Sequence, residues 1–126
     1  MVRIIIFSLS ILIAGCATQP QPAAPIQSSK IEFDLSALDA DGLRGPADGK
    51  VAVSYEFAIP NSEACKNEVR AIDPTVEFHP SSPGRINAAH DQYLCIGHTH
   101  QPNFRQVLAE LSALPYVQRI TECHFE

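Results

Sequence analysis

Hydrophobic and polar residues alternate strictly over residues 51–59. Val, Val, Tyr, Phe and Ile occupy the odd positions of this segment, and small or polar residues occupy the even ones. A period of two is typical of a strand with one buried face. The segment therefore predicts a strand whose polar side, carrying Ser54, Glu56 and Ala58, faces solvent and offers a surface for a partner.

Two segments have the spacing of amphipathic helices. In the first, Cys65, Val69 and Ile72 lie at i, i+4 and i+7 and form one apolar stripe. We expect this helix to begin after Asn61, which is a good N-cap residue. The second helix is predicted from residue 102 or 103 to residue 114, and four apolar side chains share one of its faces: Phe104, Val107, Leu108 and Leu111.

Three further strands are predicted at residues 75–79, 92–96 and 116–125. The order is then strand, helix, strand, strand, helix, strand. This is the order of the split βαβ or ferredoxin-like arrangement, βαββαβ, in which two helices cover one face of an antiparallel sheet. The predicted fold class is therefore α+β, with the first strand between the third and the fourth. Three stretches have weaker patterns: 31–35, a candidate extra strand; 38–50, an irregular loop; and 85–88, a short extended piece.

The first 16 residues have the pattern of an export signal. Arg3 precedes an apolar run over residues 4–13, which is too short to span about 30 Å of hydrocarbon at about 1.5 Å per residue. The run has the length of a signal-peptide core. The sequence IAGC at residues 13–16 resembles the lipobox of bacterial lipoproteins. The resemblance implies cleavage before Cys16, diacylglycerol on its sulfur, and acylation of the new amino terminus, for example with palmitate. The alternative is an ordinary signal peptide with an incidental cysteine.

The leader sets the predicted division of the chain. We expect a signal peptide over residues 1–15, the lipidated cysteine and a proline-rich tether over 16–30, and a single small domain over 31–126 with its core at about 51–126. Proline-rich segments are semi-rigid spacers. Ala17 stands where an Asp typically keeps enterobacterial lipoproteins in the inner membrane. The resemblance therefore implies the outer membrane, facing the periplasm.

Composition narrows the classes of function. The formal net charge is −5 and no run of basic residues occurs, which argues against binding to nucleic acid. The sequence contains no GxSxG, HExxH, phosphate-binding glycine loop or dinucleotide-binding motif, so an enzyme is not favoured. We expect a non-catalytic binding module that contacts the membrane through lipid on Cys16. Its partner is expected to be an envelope protein or a second copy of itself.

The segment from Cys95 to His100 is the alternative functional feature. Cys95, His98 and His100 provide thiolate and imidazole ligands within six residues, suited to zinc or copper. His79 or His124 could complete the shell. The histidines also precede a helix, whose positive end disfavours the imidazolium and leaves ring nitrogens free. The simpler interpretation is no cofactor, with a turn in which the histidines form hydrogen bonds.

The remaining cysteines allow two interpretations. A disulfide among Cys65, Cys95 and Cys123 would suit an oxidising periplasm, and the sequence does not choose the pair. The predicted sheet separates Cys95 from Cys123 by about two strand spacings of about 4.8 Å, too far for an easy bridge. Alternatively, all three are buried and unpaired. A Cys95 nucleophile with His98 as its base is the weakest hypothesis, because no third group to orient them is evident.

Overall fold

The computed structural model of the chain describes residues 28–124. The predicted signal peptide, Cys16 and most of the predicted tether lie outside the described residues, so those predictions stay predictions. Residues 28–124 form an α+β domain with two helices and two antiparallel sheets, which confirms the predicted class. No helix in this part of the chain is long and apolar enough to cross a bilayer.

The elements follow a simple order along the chain. They are a 3₁₀ turn (Leu35–Ala37), β1 (Leu43–Arg44), β2 (Val51–Ala52), β3 (Ser54–Pro60), α1 (Glu63–Ile72), β4 (Glu77–His79), β5 (Gln92–His98), α2 (Phe104–Ala113) and β6 (Thr121–Cys123). The main sheet has four strands in the order β4-β5-β3-β6, and each neighbouring pair is antiparallel. Strands β1 and β2 form a separate hairpin.

The alternating segment forms the centre of the main sheet. Tyr55, Phe57 and Ile59 are fully buried on the side where the core lies, as a period of two requires. The regular strand begins only at Ser54, because the chain before it turns away to pair with β1. Val51 is consequently 57% exposed, although the alternation predicted it on the buried side.

Both helices use the predicted apolar faces. Val69 of α1 is fully buried, and Cys65 and Ile72 pack against the core while partly exposed. The N-cap of α1 is Ser62 rather than the predicted Asn61, because the Ser62 hydroxyl accepts a hydrogen bond from the Cys65 amide (3.5 Å). The apolar residues predicted to share one face of α2 are all buried: Phe104, Val107, Leu108 and Leu111.

The polar side of β3 is not a free surface. Glu56 is only 2% exposed, so the prediction that this side faces solvent is wrong for Glu56, while Ser54 and Ala58 are half-buried. The cause is the loop between β4 and β5, residues 80–91, which we call the strap. The strap lies against this side of the sheet, and the Ile86 amide donates a hydrogen bond to Glu56 Oε1 (2.7 Å).

Three weaker predictions are also corrected. Residues 85–88 form a turn rather than an extended piece, and residues 38–50 contain β1 of the hairpin. Among the described residues, the last strand covers Thr121–Cys123 and begins five residues later than predicted. It begins late because Ile120 uses its backbone groups on the segment before the 3₁₀ turn. Its amide donates to the Lys30 carbonyl (2.7 Å), and its carbonyl accepts from the Glu32 amide (2.9 Å).

Candidate functional site

An open cleft of about 560 Å³ lies where α1 ends and α2 begins. Its volume falls within the roughly 300–1,000 Å³ of small-molecule sites. The turn after α1 contributes Thr75, and the chain around the start of α2 contributes most of the polar lining. The lining of the cleft includes the side chains of Ile72, Thr75, His100, Gln101, Gln106 and Glu110.

Local sequence signals bring the two helix ends together. Helix α1 stops at Asp73 because the residue before Pro74 avoids the helical region, and Asp73 is extended with ψ 97°. Strand β5 ends at His98, and the chain then turns into α2 at Asn103. Asn103 takes a left-handed conformation with φ 56°, which asparagine tolerates better than most residues. The cleft is the space between these two turns.

A buried carboxylate lies beneath the cleft. Asp73 is fully buried, and no Lys or Arg among residues 28–124 forms an ion pair with it. Hydrogen-bond donors satisfy it instead. The Thr75 amide (2.9 Å) and hydroxyl (2.7 Å) donate to Oδ1, and the Tyr55 hydroxyl donates to Oδ2. Burial, and then the Asp73 carboxylate, raise the pKa of Tyr55 far above its usual range, so its hydroxyl remains a donor.

Gln101 connects this carboxylate to the cleft wall. Its side-chain Nε2 faces four acceptors: the Tyr55 hydroxyl (3.2 Å), Asp73 Oδ1 (3.1 Å), Thr75 Oγ1 (3.4 Å) and the His98 carbonyl (2.9 Å). Carboxylate and carbonyl oxygens only accept hydrogen bonds, so these contacts fix which end of the amide points inward. We call Tyr55, Asp73, Thr75 and Gln101 the Asp73 network.

Sequence reasoning did not single out the Asp73 network. Each member has an ordinary local interpretation: Tyr55 as a core residue of an alternating strand, Asp73 as a helix stop, and Gln101 as part of a turn. One signal was present in retrospect, because Gly97 interrupts an otherwise bulky strand. A Cβ at Gly97 would lie 2.8 Å from Asp73 Oδ2 and 2.8 Å from the Tyr55 ring.

The structure does not bring Cys95 and His98 together. Residues three apart on a strand point to opposite faces. Cys95 pairs with Phe57 and is buried in the core, whereas His98 pairs with Ser54 on the side that the strap covers. The backbone of His98 nevertheless borders the Asp73 network, since its carbonyl accepts from Gln101.

The other predicted metal ligands are also spread out. His100 lies in the turn before α2, and its Nδ1 is 3.0 Å from the Asp41 carbonyl. His79 lies on the edge strand β4, and His124 follows β6 at the opposite edge of the main sheet. Within the described residues, no three His, Cys, Asp or Glu side chains are grouped so that they could hold a metal ion. The zinc or copper site stays a prediction.

The three cysteines of the domain are free thiols in the structure. Cys95 and Cys123 lie on opposite faces of the main sheet, with β3 between their strands. Burial, and then the charge of Asp73, raise the pKa of the Cys95 thiol to about 12. Burial, and then a hydrogen bond to Glu56, also raise the pKa of Cys123.

Cys95 is expected to resist alkylation in the native protein. A rise in pKa from 9.0 to about 12 lowers the thiolate fraction at neutral pH about a thousandfold. Iodoacetamide labelling followed by peptide mass spectrometry should therefore find Cys95 modified at least about a hundredfold more slowly in buffer than in urea. Equal rates in both conditions would revive the hypothesis of a reactive Cys95 nucleophile.

Most of the described residues that line the cleft carry hydrogen-bonding side chains. Among its described lining residues, the only hydroxyl belongs to Thr75, and this hydroxyl already donates to Asp73. Comparisons with protein-family models, curated proteins and solved structures found no match to this chain. The function is therefore inferred from the chemistry of the cleft.

Proposed function

We propose that this chain is a bacterial lipoprotein, anchored in the outer membrane by lipid on Cys16, and that its domain is a non-catalytic binding module in the periplasm. The leader supports the anchor through its positive start, its short apolar run and its lipobox-like sequence. The observation that carries the binding role is the cleft, whose wall is held in one orientation by the Asp73 network.

The position of the cleft relative to the tether supports this role. The segment that follows the tether is fixed beside the end of α2, because Lys30 Nζ donates to the Leu114 carbonyl (3.1 Å) and Ile31 bridges to Ile120. Leu114 is the C-cap of α2, whereas the cleft borders its N-cap, Asn103. A helix of 10 residues is about 15 Å long. A chain anchored through this tether would therefore carry its cleft at the end remote from the attachment.

The strap covers the polar side of β3, which the sequence predicted as the surface for a partner. A role for the polar side of β3 would need Glu56 exposed, and Glu56 is buried under the strap. We therefore assign binding to the cleft. The ligand would be presented by an envelope component rather than by nucleic acid, given the net charge of −5.

We also infer that the main sheet and the two helices form the split βαβ, ferredoxin-like arrangement. The strand order β4-β5-β3-β6 and the antiparallel pairing throughout support it, because β3 then lies between β5 and β6. Contacts between α1 and α2 are in keeping with helices on a shared face. The hairpin of β1 and β2 would be an addition to this arrangement.

The anchor is tested by substituting Cys16. In cells fed radiolabelled palmitate, the unaltered chain is expected to be labelled and to pellet with outer membranes, because multiple acyl chains anchor stably. Cys16→Ser is expected to lose both properties. Cys65→Ser is the matched control, since it removes a half-buried thiol of the domain and should leave both unchanged.

The same experiment tests lipid attachment and outer-membrane sorting separately. Persistent labelling of Cys16→Ser would contradict lipid attachment at this residue. Labelling that depends on Cys16 but pellets with inner membranes would contradict only the outer-membrane assignment. The variant Ala17→Asp is expected to move the chain toward the inner membrane if the enterobacterial sorting rule applies.

A further inference from the structure

The hydrogen-bond donors of Gln101 are already used. Both protons of its Nε2 lie among the inward-facing acceptors of the Asp73 network and the His98 carbonyl. The other end of the amide, Oε1, has no donor within the described part of the chain, and Gln101 lines the cleft. The Asp73 network therefore presents a fixed carbonyl oxygen to whatever occupies the cleft.

His100 also contributes an acceptor. Its Nδ1 lies 3.0 Å from the Asp41 carbonyl, which can only accept, so Nδ1 must carry the proton in this contact. A neutral imidazole has one donor and one acceptor nitrogen. The neutral ring of His100 therefore offers the lone pair of Nε2 as its remaining hydrogen-bonding group.

The hydrogen-bonded pair Gln106 and Glu110, on the exposed side of α2, also leaves acceptors free. Gln106 Nε2 donates one of its two N–H groups to Glu110 Oε1 (2.9 Å), which leaves Gln106 Oε1 and Glu110 Oε2 as acceptors and one Gln106 N–H as a donor. The Thr75 hydroxyl is committed to Asp73 and cannot donate to a ligand. Asn103, which makes no capping bond with its side chain, adds one amide with both donors and an acceptor. Among the side chains of the lining, free acceptors therefore outnumber free donors.

The charges around the cleft favour a cation. Glu110 is the one formally charged side chain among the described lining residues, and Asp73 lies buried beneath them. The nearby Arg105 is directed elsewhere, because it donates to the carbonyls of Leu35 (3.1 Å) and Leu38 (2.9 Å). The carboxyl end of α1 and the amino end of α2 carry opposite partial charges and offset each other. The carboxylates therefore set the sign of the local potential.

We propose that the cleft binds an organic cation that donates N–H hydrogen bonds, namely a primary ammonium or a guanidinium group. This proposal rests on the proposed binding role of the cleft. Such a group supplies several donors and positive charge to a lining of oxygens and one imidazole lone pair. Ile72 and Val107 also line the cleft and suit the methylene stem behind the charge. A carboxylate or phosphate would be repelled by Glu110 and would leave most of these acceptors without a donor.

The test uses the full chain in detergent micelles and follows backbone amide resonances during titration. The cationic probes are pentanediamine, for a free amine, and blocked lysine with acetyl and methylamide ends, for a side chain of a protein. The side-chain-acetylated form of the blocked lysine and sodium acetate are the uncharged and anionic comparisons. We expect both cations to shift resonances of residues 72–75 and 100–110, and the comparisons to leave them unchanged.

Two variants test whether the Glu110 carboxylate contributes to binding of the cation. Glu110→Gln keeps the shape of the side chain and is expected to weaken binding of blocked lysine about fivefold, the size of an exposed ion pair. Glu77→Gln removes the same charge from β4, outside the cleft, where the side chain is 78% exposed, and should leave the affinity unchanged.

The outcomes separate the ligand class from the binding role. Tighter binding of blocked lysine would point to a protein partner as the source of the cation, and tighter binding of the diamine to a free amine. If the acetylated form binds as well as the cation, the cationic class is overturned while the cleft remains a binding site. If no probe shifts the cleft resonances, or if Glu110→Gln has no effect, the proposal is overturned. Lipid anchoring is decided independently by palmitate labelling.

Discussion

Replacing Gly42 with alanine is expected to lower the free energy of unfolding by about 3–5 kcal/mol. Gly42 has φ +74°, and a side chain in this left-handed region costs about 1–2 kcal/mol. The added Cβ would also lie 1.9 Å from the Thr99 carbonyl oxygen, a backbone atom that cannot move alone, and such overpacking costs about 1–3 kcal/mol more. The shift would disturb the hydrogen bond from Thr99 Oγ1 to the Gly42 carbonyl (2.6 Å) as well.

Urea unfolding of the purified variants checks this expectation. Gly49→Ala is the matched control, because Gly49 lies in the loop of the β1–β2 hairpin, which begins directly after Gly42. Its Cβ would have Pro46 Cγ at 3.7 Å as its nearest neighbour, which is an ordinary contact. We expect Gly49→Ala to change stability by less than about 1 kcal/mol. Equal unfolding midpoints for the two variants would mean that the backbones of Gly42 and Thr99 are not in close contact.

Local sequence patterns correctly predicted the elements that bury one face and expose or partly expose the other. The alternation in β3 and the apolar stripes of α1 and α2 identified the core side chains, because strand and helix periods are set by the backbone alone. The break before Pro74 was predictable for the same reason. Predicted element boundaries were wrong where a distant segment forms hydrogen bonds with the backbone. At Ile120, for example, the backbone groups bond to the chain near Lys30.

The strap could not be predicted from its own sequence. It is rich in Pro, Ser and small residues and has no hydrophobic period, so it has the composition of an exposed loop. Its contact with the sheet depends on Glu56, which lies 30 residues from Ile86. A glutamate in an alternating strand normally marks the solvent side. Only the tertiary arrangement supplies the amide that makes its burial acceptable.

The candidate site was predictable in part. The segment from Cys95 to His100 was singled out for its side chains, and His100 does line the cleft. The expectation of ligands pointing to one ion finds no support in the geometry, because the strand period sends Cys95 and His98 to opposite faces. The Asp73 network was missed because its members come from β3, the turn after α1 and the turn before α2. Their convergence is a property of the fold.

Removing the Asp73 carboxylate is expected to destabilise the domain by about 3–5 kcal/mol. Asp73→Ala leaves the Tyr55 hydroxyl, the amide and hydroxyl of Thr75 and the Gln101 amide without their shared acceptor. An unsatisfied buried donor costs about 1–3 kcal/mol, and the release of a buried charge recovers part of the sum. Asp48→Ala, in an exposed turn, is the matched control and should change stability by less than about 0.5 kcal/mol.

Asp73→Asn separates the charge of this residue from its shape. An asparagine still offers one oxygen to Thr75 and Gln101, so its loss of stability should be smaller than that of Asp73→Ala in urea unfolding. The Gln101 amide would then have a weaker inward partner, and its Oε1 would be held less firmly on the cleft wall. We therefore expect Asp73→Asn to weaken binding of the cationic probes more than its stability loss alone explains. If Asp73→Ala costs less than about 1 kcal/mol, water replaces the carboxylate, and the Asp73 network is not what positions Gln101.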